Sequence, residues 1–202
     1  VAVTSTATEL NLLDGKAATN LALVGKTEGT NFTGGLLVGD VTTGTLNGAL
    51  YNTGVGIGVF DALTTGDNNV AVGTDAGTAL TGGQTNTFIG AWSGMSDIGG
   101  HGNTLLGFQS GKSVTGSYNT CIGDEAGENL SSGSGNVLIG HEAEGASNTG
   151  DRQLKISGND GSTTTTWITG DANGQVKLVS GYIAEVALTD AATITWNAAT
   201  QP

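Results

Sequence analysis

The residues of this chain that could do chemistry are few. The carboxylates Asp124, Glu125, Glu128, Glu142 and Glu144 crowd one stretch. They could hold a calcium ion, contact a carbohydrate, or form a solvated acidic face. No EF-hand or RTX-type ligand spacing is present, so the solvated face outweighs the other two readings. His101 and His141 belong to no HExxH motif or Cys/His cluster, and they read as surface-loop histidines rather than zinc ligands. Cys121, the one cysteine, lies in an apolar run with no partner histidine in a recognisable motif. It reads as a small buried apolar residue. The run Gly54-Val-Gly56-Ile-Gly58 resembles a dinucleotide loop only superficially, because the final spacing and the following helix are missing. Two sequons, Asn31-Phe-Thr33 and Asn129-Leu-Ser131, matter only in a chain secreted from a eukaryote. Trp92, Phe108 and Tyr118 could stack on a sugar or fill a core or interface. No catalytic residue, cofactor site or metal site follows, and the chain does not read as an enzyme.

The elements that carry these residues recur. Asn52, Asn69, Asn86, Asn103, Asn119 and Asn136 each open a segment of the form Asn-x-x-x-Gly, at spacings of 17, 17, 17, 16 and 17. An earlier copy, Gly35-Leu-Leu-Val-Gly39, lacks only the Asn. A small residue follows Gly73, Gly90, Gly107, Gly123 and Gly140 by three positions, at Ala76, Ser93, Ser110, Ala126 and Ala143, and a Gly follows the first four of these, at Gly77, Gly94, Gly111 and Gly127. A second apolar column runs through Leu46, Leu63, Leu80, Ile98, Val114 and Leu130. Each coil ends near another Gly, at Gly66, Gly83, Gly100, Gly116 and Gly133. Coupled columns at one period are the mark of a repeat architecture. We expect an all-β fold: a parallel β-solenoid or β-roll of about seven 17-residue coils over residues 35–150. Each coil should hold one strand of about five residues, a Gly corner, a second short strand or arc, and a Gly-rich turn. At about 4.8 Å per coil the rod would be on the order of 30 Å long. The Asn residues should form a buried ladder, since an unpaired buried amide is costly.

Strand neighbours point to opposite sides, and here both sides are apolar. One column is Val55, Val72, Ile89, Leu106, Ile122 and Ile139; its neighbour is Gly54, Ala71, Phe88, Leu105, Cys121 and Leu138. We take the column containing Ile89 as the core, so that Ile89→Asp should unravel the rod. The second column would then be an exposed stripe unless another chain covers it. We expect a parallel homotrimer; a wider solenoid burying both columns in one chain is the alternative. Thr53, Thr87, Thr104 and Thr120 make a broken Thr column, interrupted by Val70 and Val137, expected to point inward.

Outside the repeat, Thr6-Ala-Thr-Glu9 is a capping box that predicts a short helix over 6–14. Residues 1–34 read as a connector, with a strand candidate at Leu21–Val24. Residues 151–202 read as a small β module, incomplete at Pro202. Its strands are expected at Gln153–Ser157, Thr164–Thr169, Gln175–Val179, Ile183–Leu188 and Ala192–Trp196, with a hairpin turn at Asn173-Gly174. The whole reads as a fragment of a longer polypeptide.

Composition narrows the partners. Gly is 36 of 202 residues, more than twice its usual share. Lys and Arg number 6 against 18 Asp and Glu, a formal net charge of −12. Phosphate neutralisation needs clustered basic residues, so neither a nucleic acid nor an anionic membrane surface is an expected partner. No run of 18 apolar residues predicts membrane insertion, and a single Cys permits no intrachain disulfide.

The pattern Asn-Thr-x-Ile/Leu-Gly-x-x-Ala/Ser-Gly, as at Asn86 and Asn119, resembles the NTxxG-type repeats of bacteriophage tail fibre and tailspike proteins. It is also similar to the head repeats of trimeric autotransporter adhesins. Ser5–Gly15 and Thr189–Trp196 resemble segments of fibre-like proteins of marine and cyanobacterial phages. The resemblance implies a homotrimeric structural protein of a virion, engaged in host attachment through a cell-surface glycan or protein receptor. A bacterial surface adhesin is the alternative. An ice-binding solenoid and a polysaccharide-degrading tailspike rank below both.

Overall fold

A computed structural model describes residues 33–39 and 43–179, together with the backbone of Gly25–Lys26. The expected helix over 6–14 and the strands at 21–24, 183–188 and 192–196 lie outside the described residues. Within them the fold is all-β, with no helix. It is a β-solenoid of about seven turns whose strands form one sheet in sequential order.

Strands β2 (Leu36–Val38), β3 (Thr53–Val55), β4 (Val70–Val72), β5 (Thr87–Ile89), β6 (Thr104–Leu106), β7 (Thr120–Ile122) and β8 (Val137–Ile139) are the seven rungs. Each pairs with the next in parallel and in unbroken register, as Thr87 with Thr104 and Phe88 with Leu105. The 16-residue spacing between Asn103 and Asn119 leaves that register intact, with Thr104 opposite Thr120. β9 (Leu154–Asn159) adds an eighth parallel rung on β8. The flanks reverse direction: β1 (Gly25–Lys26) pairs antiparallel with β2, and β10 (Thr164–Gly170) pairs antiparallel with β9 and with β11 (Val176–Leu178).

The strands are three residues long, not five. The rest of each coil is a tight arc with no second strand. Within the arc, N–H groups reach back three residues, as Leu80 to Gly77 and Ser93 to Gly90. Bonds also join successive coils all round the perimeter, as Gly77 to the Ser93 carbonyl and Gly94 to that of Ser110. Backbone groups in so thin a rod have no other partners inside, and buried ones must be paired.

The chain closes its coil through left-handed positions. After each strand the corner Gly has φ between 125° and 142°, from Gly140 to Gly56, a region that other residues resist. A Cβ on Gly73 would meet the carbonyl of Gly90 in the next coil at 2.6 Å. A second left-handed Gly column, Gly77, Gly94, Gly111 and Gly127, lies against the inner strand side chains. Phe88 is wedged between Gly77 and Gly94, and a Cβ on either would meet its ring at 2.7 or 2.8 Å.

Three expectations are corrected. The core column is Ala71, Phe88, Leu105, Cys121 and Leu138, all fully buried. Val55, Val72, Ile89 and Leu106 stand on the outer side, 37–41% exposed, and Ile122 and Ile139 face the same way, half-buried. A three-residue strand places only its middle residue inside, and the narrow coil holds one strand side chain per rung. The wider solenoid that buries both columns is thereby excluded. Second, the Thr column points outward, because Thr87 lies two residues from Ile89 and shares its side of the sheet. Third, the column of Leu46, Leu63, Leu80, Val114 and Leu130 is completed by Asp97, which is fully buried, while Ile98 is 58% exposed.

Candidate functional site: the outward sheet face

The Asn ladder fixes the strands that make this face. Each Asn is preceded by a left-handed residue, as Tyr51, Asn68, Thr85 and Tyr118 with φ of 58° to 61°, and this turn aims the amide inward. All six Asn side chains are fully buried. The backbone N–H and Nδ2 of Asn69 both donate to Oδ1 of Asn52 at 3.0 Å, and Asn86 repeats the pair on Asn69 at 2.9 and 3.1 Å. The remaining Nδ2 proton goes to the Gly at the end of its own coil, as from Asn69 to the Gly83 carbonyl at 2.9 Å. An amide offers two donors and two acceptor sites, and at Asn69 and Asn119 all four are used.

Two members of this network were not singled out in the sequence. Gln153 stands 17 residues after Asn136 and ends the ladder, its N–H and Nε2 donating to Asn136 Oδ1 at 2.8 and 3.2 Å. Asp97 interrupts it: Asn103 Nδ2 donates to Asp97 Oδ2 at 2.9 Å, and Gly100 N–H to Asp97 Oδ1 at 2.6 Å. Burial pushes the Asp97 carboxyl up from its ordinary range, while those two hydrogen bonds pull it back. Both residues were signalled by position, at 17 and 11 residues after a ladder Asn.

With the rungs held, the outward face carries two columns. One is Leu36, Thr53, Val70, Thr87, Thr104, Thr120, Val137 and Leu154. The other is Val38, Val55, Val72, Ile89, Leu106, Ile122, Ile139 and Ile156. No charged residue interrupts either. Eight rungs at about 4.8 Å and two side chains across make a strip on the order of 350 Å². The Val/Ile/Leu column is apolar throughout and Thr fills four of the eight places in the other; a strip of this size compares with the largest apolar patch of an ordinary monomer, which is often functional.

The other candidates lie elsewhere. Cys121 is fully buried in the inner column, and burial pushes its thiol up to about 12, so it presents no thiolate at neutral pH. Trp92 and Phe108 form a tilted ring pair, centroids 5.2 Å apart, at the corner after the strand, and Trp92 Nε1 donates to Asp75 Oδ2 at 3.1 Å. Tyr118 is exposed on the opposite corner, over Gly102. His101 is also exposed, its Nδ1 accepting the Gln84 N–H at 3.1 Å. Of the five clustered carboxylates, Glu128 pairs with Lys112 at 3.2 Å and Glu144 accepts from Asn129, while Asp124, Glu125 and Glu142 surround His141.

Comparison with family models, with curated proteins and with solved structures finds no match to this chain.

Proposed function

We propose that this chain is a non-catalytic structural segment of a phage tail fibre, assembled as a homotrimer through the outward sheet face. In that role it carries or presents contact with a glycan or protein receptor on the host. The reading rests on one observation: two uncharged columns, in register over eight rungs, stand in solvent. A lone chain leaves Val55, Val72, Ile89 and Leu106 more than one-third exposed. Three parallel copies around a three-fold axis would bury both columns of each chain while the inner cores stay separate. The NTxxG-type repeat supports the same reading. Residues 151–202 would be a second small β module at one end; the exposed Trp167, Val176 and Leu178 on β10 and β11 suit such a junction. A bacterial surface adhesin head shares this architecture, and labelling of virions against intact cells separates the two.

The test is the mass in solution. Light scattering on the purified chain should give about three times 19.9 kDa, and a monomer at all concentrations sinks the proposal. Ile89→Lys should yield a folded monomer whose stability lies within about 0.5 kcal/mol of the wild-type chain diluted to its monomer, as surface changes do. Phe88→Ala should cost about 3–5 kcal/mol in core packing. A trimer that survives Ile89→Lys places the interface elsewhere.

One observation favours a second reading. The outward placement of Thr53, Thr87, Thr104 and Thr120 is what an ice-binding face requires, although Val70 and Val137 break the column. Absence of thermal hysteresis in a millimolar solution removes it.

A further inference from the structure

We propose that the corner formed by the coils of β7 and β8 binds one first-row divalent transition ion of the zinc type, held by His141 with Asp124, Glu125 and Glu142. This site lies off the outward sheet face and does not depend on assembly.

Each coil presents two outward positions just after its corner Gly. The first column runs Ile57, Thr74, Ala91, Phe108, Asp124, His141; the second runs Gly58, Asp75, Trp92, Gln109, Glu125, Glu142. Only the last two coils put ligand-type side chains at all four positions. The backbone holds these coils together, with Glu125 N–H on the Phe108 carbonyl at 2.8 Å and Glu142 N–H on that of Asp124 at 2.9 Å. One ligand atom from each of Glu125, His141 and Glu142 lies within 4.8 Å of the others. His141 Nε2 is 3.7 Å from Asp124 Oδ2 and 3.8 Å from Glu142 Oε1.

Those two separations are too long for hydrogen bonds. They match two atoms that share an ion, since ligands each about 2.1 Å from one zinc stand about 3–4 Å apart. The imidazole thus faces two carboxylate oxygens without bonding to either. Asn159 Nδ2 donates to Glu142 Oε2, which leaves Oε1 turned toward His141; such outer partners orient metal ligands. Among the described residues the one ion pair involving Lys or Arg is Lys112–Glu128, so neither Lys nor Arg neutralises Asp124, Glu125 and Glu142. The group is partly exposed, and an ion can enter without unfolding. An imidazole nitrogen among carboxylates suits zinc, nickel or cobalt, whereas calcium and magnesium take oxygen ligands. The bound ion would clasp two successive coils.

Stripped of metal with a chelator, the chain should bind one Zn²⁺ per chain in a calorimetric titration with the metal alone, and its melting temperature should rise. His141→Ala should weaken binding at least tenfold and abolish the rise. Glu125→Gln should weaken it less. Absence of saturable binding overturns the proposal, as does equal binding by His141→Ala. So does Ca²⁺ binding as tight as Zn²⁺. His141 is one-third exposed and is not one of the buried core residues, so an unchanged circular dichroism spectrum of His141→Ala separates loss of the site from loss of the fold.

Discussion

At position 97 a carboxylate stands in a column that Leu63, Leu80, Val114 and Leu130 otherwise fill. Its pKa is raised by burial, so the folded chain holds this proton more tightly than the unfolded chain does. The sign follows. The contribution of Asp97 to stability is fullest below the unfolded value near pH 4, shrinks as pH rises through the folded value, and is lost above it. Above that window the folded chain bears the cost of burying the ionised form. Asp97→Leu should stabilise the rod there by about 1 kcal/mol, the lower end of what replacing buried charge with packed apolar groups yields. The gain should shrink toward pH 4, read as the difference between wild-type and variant melts across that range. Gly100 N–H need not be orphaned, because Gly66 and Gly116 in the equivalent place bond to the Thr81 and Ser131 carbonyls. Asn103 Nδ2 would be free to rejoin Asn86.

Within a single coil, the core volume is conserved although its source is not. In the coil of β3 the inner strand residue is Gly54, and Phe60 occupies the column where later coils have Gly77, Gly94, Gly111 and Gly127. Phe60 keeps their left-handed backbone, with φ of 58°, and Val59 stands where later coils have Ala76, Ser93, Ser110 and Ala126; a Cβ on Gly54 would meet Leu37 at 2.5 Å, Val59 at 2.7 Å and the Phe60 ring at 3.2 Å. Gly54→Leu alone should overpack by about 1–3 kcal/mol. Phe60→Gly alone should cost about 3–5 kcal/mol less the backbone strain it relieves. In a Val59→Ser background the double variant gives the arrangement of the Leu105, Ser110 and Gly111 coil. A denaturation cycle should show favourable coupling of roughly 2 kcal/mol; additive losses would refute the exchange. This is also where the sequence was least transparent. Periodicity located both strand columns, the Asn ladder and the number of coils. It does not distinguish which column faces inward, because both are apolar and the outward one is the larger and more uniform. Apolarity points to Ile98, whereas the interior is set by register, which places Asp97 there. The His141 cluster joins residues 17 apart, so it emerges only once adjacent coils are laid over one another.

Along the whole rod, stability should behave as a sum of coils and nearest-neighbour contacts. Deleting residues 120–136 removes one coil, joins Asn119 to Val137 and brings Leu105 against Leu138. That chain should remain folded and melt cooperatively, a few degrees lower. Deleting residues 120–127 alone breaks the register and should abolish the transition; circular dichroism distinguishes the two outcomes. The antiparallel pairs at either flank give this additivity a particular meaning. β1 on one side and β10 with β11 on the other cover the open edges of the parallel stack, which would otherwise invite pairing with further chains. The stack can therefore lengthen only from within. Unequal recombination between two repeats of the coding sequence would extend or shorten the rod by about 4.8 Å per copy and leave both flanks unaltered. Reach is thus inherited as a copy number, open to adjustment in single steps without redesign of either end.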